Sequence, residues 1–299
     1  MSGNARDTSA HADDFGQEHV AAYHAYGYVT VDGVLSAQEV AELQSVTDEF
    51  VRRSGDVTDH TEVFDLEPGH TAAEPRLRRI KAPHLHHHAY DRVLRHPRVL
   101  DLVGRLIGAQ IRFKTTKLNL KSAAYGSPVQ WHQDWAFYPH TNDDVLAVGV
   151  AIDDMTTANG CLLVVPESHR GPVCDHHQDG YFAGAVAPDG LLERAVPVEL
   201  RAGGISIHHA RLLHGSASNT SSRPRRFLLL EYAAADAWPL MGFADWDEFN
   251  SRLLRGEPVL APRLTQVPVR IPLPTHDRQG SIYEVQSIAR QTAFTTSRG

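Results

Sequence analysis

The sequence predicts a mainly β protein with flanking helices, built on a double-stranded β-helix core of the jelly-roll, cupin-like kind. Seven short β-type runs lie between residues 109 and 235, separated by turns of Gly, Pro, Asn, Asp and Ser. Strands spaced that closely point to a sandwich or barrel rather than to alternating βα units. Amphipathic helical stretches precede the runs and a shorter one follows them. A chain of 299 residues is long enough to bury roughly three quarters of its unfolded surface in one such domain.

Taken in order, "GQEHVAAYHAYGYVTVDGVL" predicts a short helix that breaks at Gly27 and passes into the strand "YVTV". The next segment, "SAQEVAELQSVTDEFVRRSG", has Ser36 and Glu39 at capping-box spacing. Val40, Leu43, Val46 and Phe50 fall on one helical face before Gly55 stops the run. Residues 54–83 are rich in charge, Gly and Pro without a clear period, which suggests a lid or binding loop. "HPRVLDLVGRLIG" predicts a second amphipathic helix, with Pro97 in its first turn and Gly108 beyond its end. The β-type runs are "AQIRFKTTKLNLKS", "SPVQWHQD", "DVLAVGVAIDD", "GCLLVVPES", "RAVPVEL", "GGISIHHARLLHG" and "RRFLLLEYAAA"; after them "ADWDEFNSRLLRG" reads as helical and residues 257–299 as a Pro-rich, largely irregular tail. The expected organisation is one domain over 1–299, with helical support at 15–108, the jelly roll at 109–235 and a C-terminal helix and tail at 236–299.

A balance of 29 Lys+Arg against 36 Asp+Glu, formally −7, gives no basic surface for nucleic acid. No window approaches the ~18–20 apolar residues of a membrane span, and the N-terminus lacks a leader-like apolar core, so the expected location is cytoplasmic. Cys161 and Cys174 read as two separate reduced thiols. Histidine occurs 19 times, too often for number alone to mark ligands.

The stretch "VQWHQDWAFYPH" carries His132 and Asp134. In a strand, residues i and i+2 share a face with Cα atoms about 6.6 Å apart, so the pair can converge on one metal. Imidazole and carboxylate are the protein groups of the 2-His-1-carboxylate facial triad, which needs a third ligand. The same pair also fits a polar strand edge. Trp131, Trp135, Phe137 and Tyr138 suit either an apolar substrate pocket or the filling of a barrel. In "HHARLLHGSASNTSSRPRRFLLLEY", His214 ends a strand at a His-Gly turn, and eleven positions on Arg225 opens the next. A hairpin-like return there would aim a guanidinium at the same cavity to pair with a carboxylate. Alternatively, Arg225 faces solvent in a basic turn with Arg223 and Arg226.

The combined pattern, His-x-Asp, some eighty residues, then His with Arg at +11, resembles the phytanoyl-CoA dioxygenase family of Fe(II)- and 2-oxoglutarate-dependent oxygenases. The likeness spans about 17–235 and includes "FGQEHVAAYHAYGYVTVDGVLSAQEVAEL", "VAIDDMTTANGCLLVVPESHRGP" and "HARLLHGSASNTSSRPRR". It implies that His132, Asp134 and His214 hold Fe(II), that Arg225 anchors the remote carboxylate of 2-oxoglutarate, that Ser216 assists Arg225, and that Lys81 in "RIKAPHLH" lies near the cosubstrate. Relatives carry a tryptophan at the position of Gly149, so one pocket wall is absent or rebuilt here. Relatives that halogenate replace the carboxylate ligand with a small residue, so Asp134 speaks against halogenation. His84 and His86 to His88 lack the separation to aim at one ion. His208 and His209 alternate in direction, and both are left outside the expected site.

The implied reaction couples oxidative decarboxylation of 2-oxoglutarate to attack by dioxygen on a small-molecule substrate, with segments 54–83 and 167–195 as lids. Hydroxylation in bacterial secondary metabolism is the expected outcome, and epimerisation, desaturation or ring closure are the alternatives within the same chemistry. A metallohydrolase using the same ligands would leave Arg225 and Ser216 without a role. A non-catalytic jelly-roll binding module would make the histidines incidental. The oligomeric state is not legible.

Overall fold

The computed structural model describes residues 9–11, 14–275 and 281–295. Strand β1 (Ser9–His11) pairs with β2 in parallel. Helix α1 (Gln17–Tyr26) ends where Gly27 takes φ +83°, a left-handed conformation that glycine adopts without a Cβ penalty. A Cβ there would also lie 2.5 Å from the His169 ring. The chain therefore turns at once into β2 (Tyr28–Asp32). Helix α2 (Ala37–Ser54) starts at a true capping box: the Ser36 amide donates to Glu39 Oε2 at 2.8 Å and the Glu39 amide to Ser36 Oγ at 3.3 Å. Its expected face, Val40, Leu43, Val46 and Phe50, is buried.

Residues 54–83 are not a structureless connection. They hold β3 (Phe64–Leu66) and β4 (Leu77–Lys81), which pair with each other, β4 pairing in turn with β5. Helices α3 (His88–Leu94) and α4 (Pro97–Ile107) follow, the latter with Pro97 in its first turn and six apolar residues buried. Then come β5 (Ile111–Lys121), β6 (Val129–His132), β7 (Val145–Ala151), β8 (Leu162–Val164), the pair β9 (His177–Gln178) and β10 (Tyr181–Phe182), β11 (Val196–Val198), β12 (Ile205–His209), β13 (His214–Ser216) and β14 (Arg225–Ala234). Helix α5 (Trp246–Ser251), strand β15 (Leu253–Arg255) and helix α6 (Ile282–Val285) complete the described elements.

The larger sheet runs β1-β2-β12-β7-β14-β5-β4-β3, with β15 also on β5, and the smaller runs β11-β8-β13-β6. Strand alternation divides the larger sheet cleanly. Leu118, Leu120, Val148, Val150, Ile205, Ile207, Leu228 and Leu230 join the residues of α2, α3 and α4 in one core. Phe227 and Leu229 instead meet Leu162 and Val164 of the smaller sheet. The polar residues of the same parity on β5 and β14 therefore face the space between the sheets, where the site lies. Strands β2, β3 and β4, expected to be part of a helical support, are integral to the larger sheet.

Candidate active site

His132 is the last residue of β6, and Asp134 opens a 3₁₀ turn (Asp134–Ala136). The pair thus converges through a strand-to-turn transition, not through the alternation of one continuous strand. His214 begins β13 rather than ending a strand, and it stands directly opposite His132 in the ladder. Asp134 Oδ1 lies 3.8 Å from His132 Nε2, and its Oδ2 lies 3.9 Å from His214 Nε2. One ligand atom from each of the three residues falls within 4.8 Å of the others, and all three residues are buried.

The tautomers follow from the backbone. His132 Nδ1–H donates to the Gln130 carbonyl at 2.8 Å and His214 Nδ1–H to the Leu212 carbonyl at 2.9 Å. A carbonyl only accepts, so each Nε2 keeps its lone pair and aims it at the shared point. Burial, with His214 nearby, holds His132 well below the ordinary imidazole range, and burial takes His214 down to about 4. Burial alone would raise Asp134, but Lys117, His208 and the two ligand imidazoles hold it well below the usual carboxylate range. Neutral imidazoles and an ionised carboxylate on one face form the donor set Fe(II) takes, with the opposite face open.

Behind this cluster, the inner rows of β5 and β14 place Lys121 directly opposite Arg225. Both are buried. Lys121 Nζ donates to Ser216 Oγ at 2.9 Å and to the Ala217 carbonyl. Arg225 reaches the carbonyls of Gly160 at 3.0 Å and Asn119 at 3.5 Å, and its Nε has no hydrogen-bond partner among the described residues. Two like charges facing each other across a ladder are unfavourable unless an anion joins them, which fits the remote carboxylate of a dicarboxylic cosubstrate. Arg225 arrives from the sheet opposite β13, so the return is a crossing between sheets, not a hairpin. Ser216 lines the same cavity as Arg225, although its hydroxyl partner is Lys121. Lys121 went unsingled in the sequence; its signal was parity with Lys117 and Asn119 on a strand whose alternate residues are Leu118 and Leu120.

Lys81 lies elsewhere. It lines a neighbouring cavity of about 410 Å³ together with Arg79, Lys114, Lys117, Asp134, Phe137, Tyr138 and Glu231. There it pairs with Asp65 at 3.0 Å and donates to the Thr61 carbonyl at 2.7 Å. At Gly149, where the wall was expected to be absent or rebuilt from another residue, the Phe227 ring fills the space and lines the cavity, its Cζ 2.0 Å from where a Gly149 Cβ would sit. The aromatics of "WHQDWAFY" divide: Trp131 and Trp135 fill separate apolar clusters, while Phe137 and Tyr138 line the cavity. His208 does face the site, with Nε2 3.7 Å from Asp134 Oδ2 and neither ring nitrogen hydrogen-bonded among the described residues. His209 points away toward Asp143.

The phytanoyl-CoA dioxygenase family model matches residues 23–227. The chain belongs to that family. It is 36% identical over 275 residues to a probable alpha-ketoglutarate-dependent hypophosphite dioxygenase of Stutzerimonas stutzeri, covering 90% of this chain and 96% of that one. Among solved structures, the epimerase SnoN in complex with Fe3+, alpha ketoglutarate and nogalamycin RO superposes with TM-score 0.60 at 27% identity, over 87% of this chain and 95% of that one. EctD from S. alaskensis with bound Fe shares the fold, at TM-score 0.64 and 24% identity, over 85% and 88%. This member of the phytanoyl-CoA dioxygenase family is a non-haem Fe(II)/2-oxoglutarate-dependent dioxygenase with a His-Asp-His facial triad. Bound together, Fe(II) and 2-oxoglutarate supply dioxygen activation coupled to decarboxylation. The chain's own groups orient, exclude water and set charge. Among the described residues no helix is long and apolar enough to cross a membrane.

Proposed function

We propose that this dioxygenase hydroxylates a small molecule, with His132, Asp134 and His214 holding the iron and Arg225, Lys121 and Ser216 receiving the remote carboxylate of 2-oxoglutarate. The observation carrying the reading is the three-ligand cluster, which lines one cavity and reaches a second, unlike one through Asp134. One is lined by Arg225 and Ser216, the other, of about 410 Å³, by Phe137, Tyr138 and charged residues. Of the two dioxygen atoms, one enters succinate and the other the substrate's reactive bond to hydrogen. The protein contributes by fixing which bond faces the metal and by keeping water out. Hypophosphite is the first substrate to try, because a relative of 36% identity is named for it. Lys81, held by Asp65 and Thr61, is assigned to the substrate side.

A second reading, tailoring of a larger secondary metabolite, is favoured by an outer cavity of about 630 Å³ lined in part by Phe113, Phe243 and Phe249. It shares Lys114, Phe137 and Tyr138 with the metal-side cavity. Mass spectrometry of hypophosphite and a metabolite panel, with iron, oxygen and cosubstrate, separates the two. Gain of one oxygen by hypophosphite supports the first reading, and a product only from larger metabolites supports the second. Arg225→Ala should raise the 2-oxoglutarate concentration for half-maximal rate by about 30-fold or more, the loss of a buried charge pair. An unchanged requirement would remove the cosubstrate assignment.

A further inference from the structure

The cavity that adjoins the triad through Asp134 carries more positive charge than its own carboxylates balance. Arg79, Lys81, Lys114 and Lys117 all line it. Asp65 serves both Arg79, at 3.8 Å, and Lys81, at 3.0 Å. Glu231 serves both Lys117, at 2.8 Å, and Lys114, at 3.5 Å. Asp134, 4.0 Å from Lys117, is committed to the metal when the site is loaded. Four cations therefore share two carboxylates in a partly enclosed space, where unbalanced charge is costly. The backbone has placed them there. Lys81 stands directly opposite Lys117 across the β4–β5 ladder, a like-charge pair that sheets disfavour. The register shift in the β5–β14 ladder falls between Thr115 and Phe113, and Lys114, at that irregularity, lies with its Nζ 3.5 Å from the centre of the Tyr138 ring. Irregularities of this kind re-aim side chains next to sites.

Resting on the dioxygenase reading above, we propose that this cavity is an oxyanion receptor: the substrate presents a negatively charged oxygen group to Lys117 and Lys114, flanked by Arg79, which positions its oxidisable bond to hydrogen beside the triad. Lys117 lines both this cavity and the one behind the metal, so it is the positioning residue with the shortest reach to the reacting centre. Glu231 holds the two lysines in place and competes with the incoming anion for them. The same chemistry admits an inorganic oxyanion or the carboxylate of a small organic acid, and it rejects a neutral isostere.

The test measures binding of hypophosphite, sulfate, acetate and neutral acetamide to the metal-free protein by titration calorimetry, and to the anaerobic Fe(II)–2-oxoglutarate complex through perturbation of its visible absorption. Saturable binding of the anions but not acetamide is expected, weakened at least tenfold in Lys117→Gln and in Lys114→Gln. Glu231→Gln moves the opposite way, with tighter anion binding, which a merely structural role for these residues would not produce. Preference for hypophosphite or for acetate identifies the source of the oxyanion. Acetamide binding as well as acetate, or all three variants binding anions like wild type, overturns the proposal. Failure of wild type to develop the Fe(II)–2-oxoglutarate absorption would instead sink the dioxygenase reading, since anion binding to the metal-free protein is read independently.

Discussion

Individual side chains from β6, β13 and β14 and from the turn after β6 meet at the site. His132, Asp134, His214 and Arg225 could be named because their spacing forms a pattern, and Ser216 through the family resemblance that the pattern carries; the structure gathers all five around one cavity. Lys114, Lys117, Lys121 and Glu231 carry no motif. Their placement depends on strand parity and on a local shift in the ladder between β5 and β14, which a sequence does not display until its register is known. His208 was set aside for the same reason, since alternation allowed at most one of two adjacent histidines to turn inward without saying which. Gly149 is a residue whose importance lies in what it lacks. A Cβ there would meet three Phe227 ring atoms at 2.0–2.8 Å, and Phe227 sits in a packed interior. Gly149→Ala should therefore destabilise the protein by about 1–3 kcal/mol, the usual cost of overpacking a core. Chemical denaturation of the metal-free protein checks this; an unchanged midpoint would mean that the ring is free to move.

At the scale of elements, α2 and α4 were legible because caps and a helical period are local signals. The β3–β4 hairpin was not, since its strands of three and five residues are rich in charge and gain their stability from pairing with β5. The C-terminal tail likewise looked irregular, yet Ile282 of α6 lines both site cavities. Gln130 binds this tail to β6 by accepting from the amides of Ala293 and Phe294 and donating to the Phe294 carbonyl. Segment 167–195, expected as a lid, is fastened to the metal-bearing strand by the fully buried Gln133. Its Oε1 accepts from the Cys174 amide at 2.8 Å, and its Nε2 donates to the carbonyls of Arg211 at 2.7 Å and Pro172 at 3.3 Å. Removing this amide leaves the buried Arg211 carbonyl unpaired, at a cost of about 1–3 kcal/mol, and releases the part-buried Cys174 amide and Pro172 carbonyl. Gln133→Ala should accelerate hydrogen exchange at the Cys174 amide by about tenfold or more. Unaltered protection would show that the segment is held by other contacts.

For the whole molecule, the jelly-roll core could be read from closely spaced strands and turns, whereas the pairing of β2, β3 and β4 into the larger sheet could not, because those contacts are distant in sequence. Acid stability is a property of the entire fold. Burial holds His140 and His176 neutral, with both taken down to about 4, while an unfolded chain protonates histidine near 6.5. Below about pH 6.5 the unfolded chain takes up protons that the folded one refuses, so stability that is complete above that value is lost as the pH falls toward 4, by about 1–3 kcal/mol for each group. The thermal midpoint of the metal-free protein should fall steadily across that window; a flat profile would mean that these rings reach solvent. The central claim, one iron held by His132, Asp134 and His214 with 2-oxoglutarate beside it, is tested most directly by anaerobic titration of Fe(II) into the protein with 2-oxoglutarate. A weak visible charge-transfer band saturating at one iron per chain, and abolished in His214→Ala, is the result expected. No band in wild type, or an undiminished band in His214→Ala, would contradict it.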